Sequence, residues 1–120
     1  MFPSNDINYF FFKNISKSEF KIFIEKINNF LNKENINKVL SLITNNNNFS
    51  NYQKIIIIIF LDLSGNIKEC SKLVDSFEED FLLEIVKEKF IYNKLSRNIK
   101  QLIINKLSNS KWISNYKGSL

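Results

Sequence analysis

The sequence predicts an all-α fold, in which antiparallel helices stack as a short right-handed superhelix or as a compact helical bundle. Helix-start signatures recur along the chain, apolar side chains repeat at helical spacing, and the most apolar run fits a buried helix. With 120 residues, 44% of them hydrophobic, the chain can build one core but not two. We therefore expect a single helical domain over 1–120.

Caps and spacing predict the first two helices. Ser16 precedes Glu19 by three residues, which is the spacing of a capping box, and Ile15 and Phe20 are placed as a hydrophobic staple. An apolar stripe then predicts one continuous helix through Phe20, Phe23, Ile24, Ile27, Phe30 and Leu31. A second stripe, in "ENINKVLSLI", predicts a further helix through Ile36, Val39, Leu40 and Ile43.

The five consecutive isoleucines at 55–59 are predicted to lie in a buried helix. Ser50 and Gln53 form a capping box ahead of them, and Gly65 is a typical helix stop. The helix is therefore expected to span 52–63. β-Branched side chains favour strands, but each costs a helix only roughly a few tenths of a kcal/mol, whereas burying an isoleucine contributes about 1.5–3 kcal/mol. A strand is the alternative, although no other segment is predicted to pair with it.

Three further caps predict the rest of the fold. Asn66 precedes Glu69 and can cap a short helix, and Ser76 precedes Glu79 in a capping box that opens "FEEDFLLEIVKEKFIY". Ser96 can cap the last helix. That helix has its own apolar stripe, formed by Leu95, Ile99, Leu102, Ile103 and Leu107.

The predicted helices repeat in the order medium, long and short. Leu82 follows Leu40 by 42 residues, and Leu107 follows Leu63 by 44. In this period, and in the segments "FLDLSGN" and "ECSKLVDSFEEDFLLEIV", the chain resembles the armadillo repeat family of helical scaffolds. The resemblance implies two repeat-like units and an N-terminal cap. These are expected at 36–75, 76–116 and 1–35.

The chain departs from that family at its peptide-binding positions. Family members that bind extended peptides have asparagine where this chain has Asp62 and Lys106, and a glycine usually stands at the position of Ser76. The resemblance therefore implies a scaffold without the family's asparagine ladder.

Two other families are similar in part. "SRNIKQLIINKLSNSKWISNYKG" resembles the C-terminal end of the B-cell-lymphoma family of apoptosis regulators, with Trp112, Ile113 and Gly118 at the matching positions. That resemblance implies a groove that binds an amphipathic helix of a partner. "SKSEFKIFIEKINNFLNKENINKVL" is similar in helix spacing to the N-terminal domain of the delta subunit of rotary ATP synthases.

Composition points away from catalysis. The sequence has no histidine, no glycine-rich phosphate loop and one cysteine, Cys70, so we expect no enzyme activity, no cofactor and no metal. Asp80 and Glu84 are one turn apart, where acidic residues more often favour the helix dipole than bind an ion. The heavy use of Ile, Asn, Lys and Phe is typical of an AT-rich coding bias, and 45–48 is then a solvated loop.

Location is inferred from the same features. A single cysteine excludes an internal disulfide and favours a buried thiol in a reducing, intracellular compartment, with the cytoplasm favoured. The N-terminus lacks the features of a signal peptide. The longest apolar run has seven residues, whereas a membrane-spanning helix needs about 20. We expect a soluble protein with no transmembrane segment.

Charge indicates where a partner would bind. Segment 62–90 has a net charge of −4 (four lysines, eight acids), and 91–120 has +6 (six basic residues, no acid). The candidate partner-binding residues mix cations with aromatic rings: Arg97, Lys106, Lys111, Trp112, Tyr116 and Lys117. The alternatives are that the lysines are simply solvated and that Trp112 packs under the last helix.

The sequence as a whole predicts a non-enzymatic protein-interaction module: a helical scaffold or adaptor, or a small subunit of a larger assembly. The partner is expected to be another protein, and a second copy of the chain is an alternative. A B-cell-lymphoma-like groove and nucleic-acid binding through the basic C-terminal third are the alternative functions.

Overall fold

The computed structural model describes residues 7–45 and 48–108, and 79% of these residues are helical, with no strand among them. The prediction of an all-α protein is confirmed. The described helices fall into two compact units, the first ending at Asn66 and the second beginning at Ile67. The armadillo-like division at 35 and 75 stays a prediction.

The first unit contains a 3-10 helix and four α-helices. They are η1 (Ile7–Phe11), α1 (Lys17–Glu25), α2 (Ile27–Phe30), α3 (Lys33–Asn45) and α4 (Asn51–Leu63). The second unit contains α5 (Ile67–Ser76), α6 (Glu79–Lys87), α7 (Lys89–Tyr92) and α8 (Arg97–Ser108).

The isoleucine run is helical and buried, as predicted. The Ser50 side chain accepts a hydrogen bond from the Gln53 backbone, and the Gln53 side chain accepts one from the Ser50 backbone, so the capping box is complete. Every side chain of 55–61 is buried. Gly65 ends the helix with φ +82°, and the Gly65 and Asn66 amides bond to the carbonyls of residues 62 and 61 in a Schellman arrangement. The strand alternative is therefore wrong.

The first apolar stripe lies on two helices rather than the predicted one. The Ser16–Glu19 capping box opens α1 as expected, but the backbone turns at Lys26, with φ −108° and ψ 23°. The turn brings the Phe30 ring against Phe23, with 5.4 Å between ring centroids, and against Phe10, with 5.3 Å. Tight packing of these buried rings determines the path of the chain here, and no helix-breaking residue marks the turn in the sequence.

The side chain of Gln53, on α4, forms hydrogen bonds with the segment that precedes α1. Its side chain is only 2% exposed, and its amide nitrogen Nε2 donates hydrogen bonds to the carbonyls of Phe10, at 3.0 Å, and of Lys13. Its amide oxygen accepts the backbone N–H of Ser50 at 2.9 Å. A buried amide that is satisfied on both ends is a specific anchor, because any misplacement would leave buried polar groups unpaired.

The second unit departs from prediction at the Ser76 cap and in the segment that follows it. The predicted box at Ser76 and Glu79 does not form, because Ser76 is the last residue of α5 and its hydroxyl donates to the Leu73 carbonyl at 2.6 Å. Helix α6 begins at Glu79 without a side-chain cap and ends at Lys87, so the predicted segment divides into α6 and α7.

The last helix begins as the sequence predicts. The Ser96 hydroxyl accepts the backbone N–H of Ile99 at 3.2 Å and so caps α8. Helix α5 buries Cys70 and Val74, and α8 buries Ile99 and Ile103. The buried state of the Cys70 thiol is confirmed.

Candidate functional site

Of the predicted partner-binding residues, the structure describes Arg97 and Lys106, and these two lie on different sides of α8. Arg97 and Lys106 are nine positions apart, which at about 100° per residue places them on opposite sides of the helix. Lys111, Trp112, Tyr116 and Lys117 lie outside the described residues. The second unit therefore has two separate surfaces, one on each side of α8.

The first surface is built around Tyr92. The ammonium group of Lys89 lies over the Tyr92 ring at 5.6 Å from its centroid, and that of Lys100 lies at 5.3 Å. Lys94 and Arg97, both exposed, lie between Lys89 and Lys100 along the chain. We call these five residues (Lys89, Tyr92, Lys94, Arg97 and Lys100) the basic surface.

Local structure explains how the basic surface is assembled. Lys89 and Tyr92 are three residues apart on α7, so their side chains lie on neighbouring positions of one helical turn. Lys100 lies in the first turn of α8, which the Ser96 hydroxyl caps. Its ammonium group lies over the same Tyr92 ring. No aspartate or glutamate occurs between 89 and 120, and Glu88, the residue before Lys89, is the nearest acidic residue along the chain.

Tyr92 is present as a neutral phenol at neutral pH. Burial raises the pKa of Tyr92 above its usual value, because a phenolate is poorly solvated in a partly buried position. An uncharged ring can hold both ammonium groups by cation–π attraction without neutralising either of them. Their positive charge therefore remains available to an anionic ligand.

Raising the pH should therefore reveal Tyr92 as a late-titrating tyrosine. The absorbance of phenolate, measured as the difference between the wild-type protein and Tyr92→Phe, should show a midpoint above the pKa of about 10 for free tyrosine. Since the folded-state pKa is the higher one, the stability contributed by the neutral phenol is complete below about pH 10 and is lost as the pH rises through the folded-state pKa. A difference midpoint at or below that of free tyrosine would contradict the burial of this ring.

The second surface is a cleft between α5, α6 and α8. It has a volume of about 420 Å³ and is lined by Ser71, Val74, Asp75, Glu79, Leu102, Asn105 and Lys106. The Lys106 ammonium donates to the backbone carbonyl of Asp75 at 2.9 Å, which fixes the lysine across the cleft. Val74 and Leu102 supply apolar surface, and the Asp75 and Glu79 carboxylates supply negative charge.

Sequence reasoning found Lys106 and Arg97 but missed their neighbours. The spacing of Lys89 and Tyr92 on one helical turn was a readable signal, because residues three apart on a helix are neighbours. The contact of Lys100 with the same ring, and the meeting of Asp75 with Lys106, depend on how α7 and α5 pack against α8.

Other kinds of site find no support in the part of the chain that the structure describes. Within 7–45 and 48–108, no group of three or more Cys, Asp or Glu side chains is placed to hold a metal ion. None of the helices in these ranges combines the length and the apolar character needed to span a bilayer. Comparisons with protein-family models, with curated proteins and with solved structures found no match.

Proposed function

We propose that this chain is a non-enzymatic protein-interaction module, a scaffold, an adaptor or a small subunit, whose basic surface binds an acidic segment of a partner protein. The observation that carries the proposal is the pair of ammonium groups, those of Lys89 and Lys100, held over the Tyr92 ring. Because the ring already orders both lysine side chains, less conformational entropy is lost when an anionic partner binds them.

Neighbouring residues favour a protein partner. Phe90 is 46% exposed beside Lys89, and a large apolar side chain next to cations is typical of protein-binding hot spots. Arg97, exposed at the start of α8, can bind a carboxylate with two parallel hydrogen bonds. An acidic segment that also carries apolar side chains would match both features.

Nucleic acid is the second candidate, and the Tyr92 ring argues against it. Single-stranded nucleic acids bind by stacking their bases on exposed aromatic faces. The ammonium groups of Lys89 and Lys100 lie over the Tyr92 ring and would compete with a base for the ring face that they cover. Phosphate groups could still bind the lysines, and the experiment below therefore includes an oligonucleotide.

The proposal is tested by fluorescence anisotropy with two labelled probes. One is an acidic peptide that alternates glutamate with leucine, and the other is an oligo-dT of equal charge. We expect the peptide to bind more tightly than the oligonucleotide. The double variant Lys89→Gln/Lys100→Gln should weaken peptide binding about fivefold to thirtyfold, the effect of losing about 1–2 kcal/mol from two exposed charge pairs.

A charge-matched variant is the control. Lys33 and Lys68 are exposed lysines on α3 and α5, outside the basic surface, and Lys33→Gln/Lys68→Gln removes the same net charge. This variant should bind the peptide almost as the wild type does. Equal losses in both double variants would show that only net charge matters, and tighter binding of oligo-dT would favour the nucleic-acid function instead.

A further inference from the structure

We propose that copies of this chain associate head to tail, with the basic surface of one copy bound in the α5–α6–α8 cleft of the next. The inference rests on the proposed function, since it names a second copy of the chain as one acidic partner of the same basic surface. Three features of the second unit support it: the charges of the two surfaces, an exposed aromatic side chain, and the positions of the surfaces around α8.

The two surfaces are opposite in charge. Segment 75–80 contains four acidic residues and no basic one, and two of the four, Asp75 and Glu79, line the cleft. The other two, Glu78 and Asp80, are exposed beside it along the chain. Lys106, the one cation among the residues that line the cleft, keeps its charge while it donates to the Asp75 carbonyl, so two carboxylates and one ammonium leave the lining with a net charge of −1. The basic surface carries four cations, and Glu88, next to Lys89, is the one acidic residue adjacent to it in sequence.

The size and the apolar residues of the cleft are compatible with an aromatic side chain. Phe90 is 46% exposed and is adjacent in sequence to Lys89 of the basic surface. The cleft offers Val74 and Leu102 as apolar contacts within about 420 Å³, which is enough space for a phenyl ring. A buried aromatic anchor surrounded by charge pairs is the usual arrangement of a protein–protein hot spot.

The positions of the surfaces require a second copy. Lys100 belongs to the basic surface, and Leu102 lines the cleft; two positions apart on α8, they point about 160° away from each other. One copy therefore cannot place its own basic surface in its own cleft. Because the two surfaces differ, the contact is heterologous, and repeated contacts produce a ring or an open chain.

Sedimentation velocity at low ionic strength tests the proposal with charge-reversed variants of the full chain. The wild type should sediment faster as its concentration rises, and added salt should reduce the effect. Lys89→Glu/Lys100→Glu reverses the basic surface, and Asp75→Lys/Glu79→Lys reverses the cleft. Each double variant should associate at least about tenfold more weakly than the wild type. The fourfold variant with all these changes should regain association, because both charges are inverted together.

The remaining outcomes separate this proposal from the proposed function. Lys33→Glu/Lys68→Glu changes the net charge by the same amount as the first double variant and should associate like the wild type. A monomeric wild type at every concentration, or a fourfold variant that stays monomeric, would overturn head-to-tail association. If Asp75→Lys/Glu79→Lys still binds the acidic peptide in that case, the proposed function stands without self-association.

Discussion

Replacing Phe23 with alanine is expected to lower the free energy of unfolding by about 3–5 kcal/mol. The Phe23 side chain is fully buried, and its ring lies 5.3 Å from that of Phe10 and 5.4 Å from that of Phe30, between centroids. The rings of Phe20 and Phe60 also pack against it, each at 6.4 Å. The substitution removes the central ring of this cluster and leaves a cavity where η1, α1, α2 and α4 meet.

Urea unfolding followed by circular dichroism measures the loss. Phe12→Ala is the matched control, because the Phe12 side chain is 88% exposed and should contribute less than about 0.5 kcal/mol. Similar unfolding midpoints for both variants would contradict the aromatic cluster as the core of the first unit.

Replacing Gln53 with glutamate is expected to cost about 3 kcal/mol or more at neutral pH. The Gln53 amide nitrogen donates to the Phe10 and Lys13 carbonyls, and a carboxylate would place a buried negative charge against those same two oxygens. Burial and the two carbonyls raise the pKa of the new carboxyl above its unfolded value of about 4.3. The variant is therefore most stable below about pH 4, relative to the wild type, and loses stability as the pH rises through the folded-state pKa.

The measurement is the difference in unfolding free energy between variant and wild type across pH. Gln101→Glu, on the exposed surface of α8, is the control and should show a difference close to zero at every pH. A Gln53→Glu variant as stable as the wild type at neutral pH would contradict the hydrogen bonds assigned to the Gln53 side chain.

Local signals predicted most of the helices correctly. The boxes at Ser16 and Ser50, the cap at Ser96 and the stop at Gly65 each involve residues within five positions of one another, so the sequence contains the whole motif. The isoleucine run required one further step, a comparison of burial with propensity. That comparison was decisive because the free energy gained by burying an isoleucine is several times larger than the free energy that its helix propensity costs.

The predictions failed where a residue of a local motif is used in another local structure, or where a contact between distant parts of the chain determines the backbone path. At Ser76 the spacing of a capping box is present, but the hydroxyl is used to end α5 instead. At Lys26 no glycine or proline marks the break between α1 and α2, which depends on the packing of Phe30 against Phe10. The Gln53 bonds to residues 10 and 13 join positions about forty apart, beyond the reach of any local pattern.

The sequence predicted only some of the residues of the candidate site. Charge segregation in the sequence indicated the C-terminal third, and Arg97 is one of the residues of the proposed basic surface. The helical spacing of Arg97 and Lys106 already implied opposite sides of α8, whereas the contact of Lys100 with Tyr92 required the path of the turn between α7 and α8.

The most direct test of the central claim, that the basic surface is the binding site, is an amide NMR titration with the acidic peptide. The Asp75→Lys/Glu79→Lys variant is suited to it, since its basic surface is unchanged and its self-association is weakened. We expect saturable shifts concentrated at Lys89, Tyr92, Arg97 and Lys100. Shifts of equal size throughout the first unit, or no saturable shift at these four residues, would contradict the claim.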